Sequence, residues 1–391
     1  MKQKLIPYGR QDIQDSDVNT VVEVLQSDFL TQGPVVPRFE KVVSECCGVS
    51  HAVAVNSATS ALHIALMALG VKAGDTVWTS PNTFVASSNA ALYCGANVDF
   101  VDIDLGTYNI SITALKKKLE QSAVSGTLPK VVIPVHFAGQ PCDIRAIHEL
   151  SQQFAFKVVE DASHAIGGRY LGGAIGNCAY SDITVFSFHP VKIVTTAEGG
   201  MALTNNPTLA EHMSILRSHG ITKDPSRMTR APEGPWYYEQ IALGYNYRMT
   251  DLQAALGISQ MKRLQGYIDR RHEIAARYSR ELAELPLVLP KQEEFAHSAY
   301  HLYVLRLDLD AIKPLSHAEV FHSLHERDIL VNLHYIPVHT QPYYQKMGFK
   351  RGDFPNAEAY YKSAISIPMF PTLRCYEQAK VIAVLHEILA K

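Results

Sequence analysis

From residue 51 onward, short apolar runs alternate with helical stretches, and no other feature constrains the fold as tightly. Residues 52–55, 76–79, 98–101, 131–135 and 157–159 read as strands, with helices over 61–69 and 144–154 between them. Strands separated by helices can pair only through crossovers, which build a mostly parallel sheet covered on both faces. The chain has 391 residues, 47% apolar and 19% charged, enough for a large core and two to three domains. The expected class is therefore α/β.

Open sheets of this kind bind ligands at the carboxyl ends of their strands. Asp161 falls at such an end, after Val158 and Val159. A second β-type run, 182–188, enters a tight turn and reaches Lys192, followed by Thr195, Thr196 and the pair Gly199-Gly200. A lysine amine has an ordinary pKa of about 10.4, so a Schiff-base role demands a site that lowers it. A lysine together with a carboxylate is what pyridoxal phosphate requires, the acid keeping the pyridine nitrogen protonated. The plain alternative for Asp161 is the cap of a helix starting at Ala162.

Other segments offer weaker signals. Residues 1–38 read as an arm with a helix over 15–25, and the Gly- and Pro-punctuated stretch 29–37 reads as a connector that stops helix formation. Small hydroxyl residues at 56–60 stand between a strand and a helix, where an anion could sit on free N–H groups. Ser57 or Thr59 could equally be a helix cap. Residues 83–86 begin the next helix, and Phe84 could stack on a planar ring or belong to the core. The loop 244–249 precedes a long helical pattern from Thr250 and Asp251 to about Leu285, of the kind that bridges domains. Such a loop can project away from its own sheet. The remainder, 297–391, mixes strand, helix and a Pro/Tyr-rich loop and reads as a small α+β domain. The expected division is 1–250, an arm and a large cofactor-binding domain, and 251–391, a linking helix and a small domain.

Several functions are disfavoured. A formal charge of −2 gives no basic face for nucleic acid. Six cysteines without C-x-x-C spacing suggest buried thiols in a reducing compartment. The start of the chain carries no apolar signal segment, and the apolar stretch 51–71 is broken by polar residues, so a cytoplasmic protein without a membrane span is expected. His334 and His339 flank Pro337 in a loop, and no metal site is expected.

The motifs L-T-Q-G-P at 30–34, N-S-A-T-S at 56–60, P-x-T-F-V-A-S at 81–87 and E-D-A-S-H at 160–164 occur together with S-F-H-P-V-K at 187–192. They continue with E-G-G at 198–200, R-S-H-G at 217–220, G-Y-N-Y-R-M at 244–249 and H-Y-x-P-V-H at 334–339. In this order they resemble the DegT/DnrJ/EryC1/StrS sugar-nucleotide aminotransferases, fold type I pyridoxal-phosphate enzymes, across nearly the whole chain. The stretch 182–200 is most similar to the branch that aminates a UDP-linked 2-acetamido-2,6-dideoxy-4-keto-L-hexose on the way to pseudaminic acid. That branch yields UDP-4-amino-4,6-dideoxy-N-acetyl-β-L-altrosamine with L-glutamate as donor. Other readings are a dTDP- or GDP-linked 3- or 4-keto sugar, or a non-catalytic ligand-binding regulator. The dehydratase branch carries histidine where this chain has Lys192.

The resemblance implies residue roles. Lys192 would carry the cofactor and later move protons, and Asp161 would pair with the pyridinium. Ser57, Ala58, Thr59 and Ser187 would bind the phosphate, with Asn246 reaching over from a partner subunit. Phe84 would stack on the ring and His164, often glutamine in relatives, would meet its 3-oxygen. Tyr8, Asp28, Phe29, Leu30, Thr31, Ala58, Ser187, Asn246, Arg248, His334, Tyr335, Ile336 and Pro337 would line the sugar-nucleotide groove. The loop 244–249 would make a homodimer with shared active sites.

Overall fold

The structure, a computed structural model, describes residues 5–389, so residues 1–4 of the expected arm lie outside it. Its centre is a seven-stranded sheet. In chain order the strands are β1 (His51–Val55), β2 (Thr76–Thr79), β3 (Asn97–Phe100), β4 (Val131–Ile133), β5 (Lys157–Asp161), β6 (Ile183–Ser187) and β7 (Gly200–Thr204). In space the order is β1-β7-β6-β5-β4-β2-β3. Only β7 runs against its neighbours, pairing antiparallel with both β1 and β6. The other pairings are parallel.

Alternation along each strand splits the core into two layers. Ala54, Trp78, Val132, Val158, Phe186 and Met201 face one cluster, built with the helices Val35–Cys47, Ile144–Phe154 and Asp251–Met261. Val55, Val77, Ile133, Val159, Val185 and Ala202 face the other, under the helices Ala58–Ala68, Ala86–Tyr93 and Pro207–Arg217. A period of two places successive side chains on opposite faces, and both faces here are dry. A further cluster gathers residues of 274–389 with Ile6, around the sheet of Leu287–Val288, Tyr303–Leu307 and Ala364–Ile367.

Three expectations need correction. The stretch read as a connector contains the start of the helix Val35–Cys47. Pro37 is tolerated because it sits in the first turn, where its missing N–H has no helical partner. The cap comes from far away: Asp251 accepts from the N–H groups of Gly33 at 2.7 Å and Val36 at 2.9 Å. Conversely, the long helix expected from 251 to about 285 is two, Asp251–Met261 and Leu264–Glu281. Arg263 leaves helical geometry at the break and sends its guanidinium to Asp17 at 2.6 Å. The helix placed at 83–86 begins at Ala86.

Candidate active site

Because β1, β2, β5 and β6 are parallel, the loops that leave their carboxyl ends emerge along one edge. Residues far apart in sequence therefore line one cavity of about 490 Å³. Asp161 closes β5 there, held by main-chain bonds from its N–H to Pro134 O at 2.9 Å and from His136 N–H to its own O at 3.1 Å. No helix follows it; 163–167 form turns, so the helix-cap reading of Asp161 fails. Its Oδ1 accepts the Ser163 N–H at 3.1 Å, and its Oδ2 accepts the Ser87 hydroxyl at 2.6 Å. Ser87 is met in turn by Thr83 at 2.7 Å. The carboxylate is thus buried, oriented and ready for a cationic partner.

Lys192 hangs from the loop after β6. That loop is closed by Lys192 N–H to His189 O at 2.9 Å, Thr196 N–H to Phe188 O at 3.0 Å and Phe188 N–H to Gly199 O at 2.9 Å. Burial draws the Lys192 amine down to a pKa of about 8, with Asp161 opposing the shift. A large neutral fraction near physiological pH makes it a competent nucleophile.

At the start of the helix Ala58–Ala68, Ser57 is the cap, its Oγ accepting from Ser60 N–H at 3.1 Å. That hydroxyl also meets Ser60 Oγ at 2.9 Å, while Ser60 donates to Asn56 Oδ1 at 2.6 Å. The Ser57 side chain is therefore spent locally, and the first-turn N–H groups of Ala58 and Thr59 are the ones free for an anion. Gly200 opens β7 beside them; a Cβ there would collide with Ala58 N and the Ser57 carbonyl carbon. Glycine lets the strand lie against this loop.

Phe84 is 58% exposed on the cavity wall, its ring 5.9 Å from that of Tyr335. His164 is buried, its Nδ1 accepting the Ala138 N–H at 3.2 Å and its Nε2 facing Tyr335 Oη at 3.1 Å. Burial, with Lys192 and His334 close by, holds its pKa well below the ordinary value. His164 is thus a neutral imidazole with its proton on Nε2. His334 is likewise drawn down by burial, to about 3. It contacts Ser366 Oγ at 2.8 Å, and its ring lies 5.1 Å from that of Tyr8.

Pyridoxal phosphate fits this donor set: an amine, a buried carboxylate, free helix N–H groups, an exposed aromatic face and a glycine where a Cβ would block the loop. Of the residues singled out in the sequence, Tyr8, Ser57, Ala58, Thr59, Phe84 and Asp161 line the cavity, as do His164, Ser187, Lys192, His334 and Tyr335. Asp28, Phe29, Leu30 and Thr31 do not; they are exposed, with Thr31 bridged to Thr250. Ile336 and Pro337 also stay outside the lining. The loop 244–249 is tied to its own sheet through its main chain, while Asn246 stays exposed. Arg248 bridges Val55, Asn246 bridges Ser218, and the Tyr247 carbonyl accepts from Asn56 N–H at 2.8 Å. Neither Asn246 nor Arg248 lines the cavity of its own chain.

The sequence reasoning missed Ser87, Thr83, His301 and Asn332. The Thr83/Ser87 spacing of hydroxyls one helical turn apart was the available signal for the first two. Nothing local marks the others.

The profile of the DegT/DnrJ/EryC1/StrS aminotransferase family matches residues 11–386. The chain is 41% identical to the spore coat polysaccharide biosynthesis protein SpsC of Bacillus subtilis, over 98% of this chain and 97% of that protein. It is 37% identical to a UDP-4-amino-4,6-dideoxy-N-acetyl-beta-L-altrosamine transaminase of Campylobacter jejuni, over 99% and 98%. Among solved structures, Helicobacter pylori PseC, an aminotransferase involved in the biosynthesis of pseudoaminic acid, superposes with a TM-score of 0.89 at 30% identity, covering 99% of this chain and 100% of that one.

Proposed function

The chain belongs to the DegT/DnrJ/EryC1/StrS aminotransferase family, and from that premise we propose that it aminates the 4-keto carbon of a UDP-linked 2-acetamido-2,6-dideoxy-L-hexose with glutamate as donor. At the coarser level it is a sugar aminotransferase that uses pyridoxal phosphate. The observation that carries the reading is the convergence of Lys192 and Asp161 on one cavity.

Pyridoxal phosphate supplies the electron sink that lets a substrate carbon shed its proton. Each remaining task falls to a residue of this chain. Lys192 would hold the cofactor covalently through Nζ, and its free amine would be the group that moves protons. Asp161, oriented by Ser87, would keep a proton on the ring nitrogen. Ala58 and Thr59 would offer N–H groups to the phosphate, Phe84 would lie against the ring, and His164, whose Nε2 faces Tyr335 Oη at 3.1 Å, would stand near the ring oxygen. Tyr8, His334 and Tyr335 form the wall against which the sugar would lie.

The substrate assignment is supported by the likeness to the Campylobacter jejuni transaminase and to PseC. A second reading is another nucleotide-linked keto sugar, kept because the chain is 41% identical to SpsC, a protein of spore coat polysaccharide biosynthesis. The proposal includes a homodimer in which Asn246 and Arg248 enter the partner's cavity, since both are absent from their own. It also retains the division into 1–250 and 251–391. Among the described residues no helix is long and apolar enough to cross a membrane. The test compares kcat/KM for the UDP-linked L- and D-configured 4-keto sugars with dTDP- and GDP-linked keto sugars, all with glutamate. The UDP-L-sugar should lead; a single methyl-scale difference gives only about 10–200-fold discrimination, so leakage to the D-epimer is expected. A clear win for a dTDP sugar overturns the substrate while leaving the chemistry.

A further inference from the structure

Among the described residues of one protomer, the cavity lining carries Lys192 and histidines as its only basic side chains. An amino acid donor nonetheless brings a carboxylate, which must be held by something. Resting on the glutamate reading above, we propose that His301, with Asn332 lining the same cavity, binds the α-carboxylate of the amino donor.

His301 lines the cavity yet is only 4% exposed, with its ring 4.5 Å from that of His164. Its Nδ1 is buried with no hydrogen-bond partner, which leaves Nε2 as the nitrogen able to meet a ligand. Burial, with His164, Lys192, Arg271 and His334 around it, keeps the imidazole neutral. A buried N–H without an acceptor is the costlier orphan, so the proton belongs on Nε2, which then donates into the cavity. Asn332 also lines the cavity. Its Oδ1 accepts the Leu333 N–H at 2.8 Å, and its Nδ2 meets His334 Nε2 at 3.4 Å, a contact that commits only one of its two N–H groups.

Behind His301 stands an unbalanced charge. Arg271 is 1% exposed, and its Nη1 donates to the carbonyls of Tyr300 at 3.0 Å, His301 at 3.2 Å and Met369 at 3.1 Å. Its Nε has no partner, and among the described residues no carboxylate pairs with it. A guanidinium remains charged at neutral pH, and a buried cation without a counter-charge favours an anion nearby. Arg271 supplies the positive field, and His301 and Asn332 supply the N–H groups that a carboxylate needs. Together they offer a carboxylate both hydrogen-bond donors and a positive field from within one protomer.

The test uses the cofactor-loaded protein and α-methylglutamate, which lacks the α-proton and so binds without transamination. Binding is measured by calorimetry for wild type, His301→Phe, which keeps a ring against His164, and His301→Gln, which keeps an N–H donor. Loss of a hydrogen bond to a carboxylate should weaken the analogue roughly tenfold or more in His301→Phe and much less in His301→Gln. Cofactor absorbance and KM for the keto sugar should stay within about twofold. Unchanged analogue binding in His301→Phe overturns the inference, as does loss of cofactor or a rise in the sugar KM in place of the donor effect. Wild type that binds no carboxylate-bearing donor overturns the glutamate reading and this inference together; wild type that binds normally while the variants match it overturns this inference alone.

Discussion

The Ser87 hydroxyl donates to Asp161 Oδ2 at 2.6 Å, so the acid proposed to serve the cofactor is aimed by a residue 74 positions away. Ser87→Ala removes a hydrogen bond to a charged group, a kind that contributes about 1.5–3 kcal/mol. Cofactor retention should fall by roughly tenfold to a hundredfold on that scale, with the fold intact by circular dichroism. Equilibrium dialysis against pyridoxal phosphate measures it, and unchanged retention would make the contact incidental.

Lys192 gives a pH signature. Its amine is protonated below about 8 and neutral above, because burial disfavours the charge. Covalent capture of pyridoxal phosphate by apoprotein should therefore accelerate as pH rises, with a midpoint near 8. Asp161 raises this pKa, so Asp161→Asn should move the midpoint lower while abolishing most turnover. A midpoint near the free-lysine value of about 10.4 would contradict the buried site.

Gly200 tests the phosphate loop. A methyl group there presses on Ser57 and Ala58 backbone, which has no side-chain freedom to yield. Gly200→Ala should cost about 1–3 kcal/mol, the usual range for overpacking, and should weaken cofactor binding as well. Thermal unfolding with and without cofactor separates the two effects. A variant as stable and as tightly loaded as wild type would show that the loop can shift.

How much of this was legible beforehand follows from the range of the interactions involved. Strand alternation and the positions of Asp161 and Lys192 are local in the chain, and the parallel sheet then fixes which ends converge. The helix Val35–Cys47 was not legible, because Gly33, Pro34 and Pro37 punctuate its start and its cap comes from Asp251. At the break, Arg263 pairs with Asp17, again a long-range partner. His301 carries no local signal either; it matters only because folding stacks it on His164.

The shared-site proposal predicts complementation. Lys192→Ala and Asn246→Ala chains are each expected to be inactive alone, and mixed heterodimers should regain activity from one repaired site. Verified heterodimers with no recovered activity would confine the site to a single chain.

The central claim is that Lys192 is the residue bearing the cofactor. Borohydride reduction of the yellow, loaded protein, followed by protease digestion and mass analysis, tests it most directly. The account predicts bleaching, with the cofactor mass fixed on the peptide containing Lys192 and no such label in Lys192→Ala. Label on another lysine, or fixation that survives in Lys192→Ala, would contradict it.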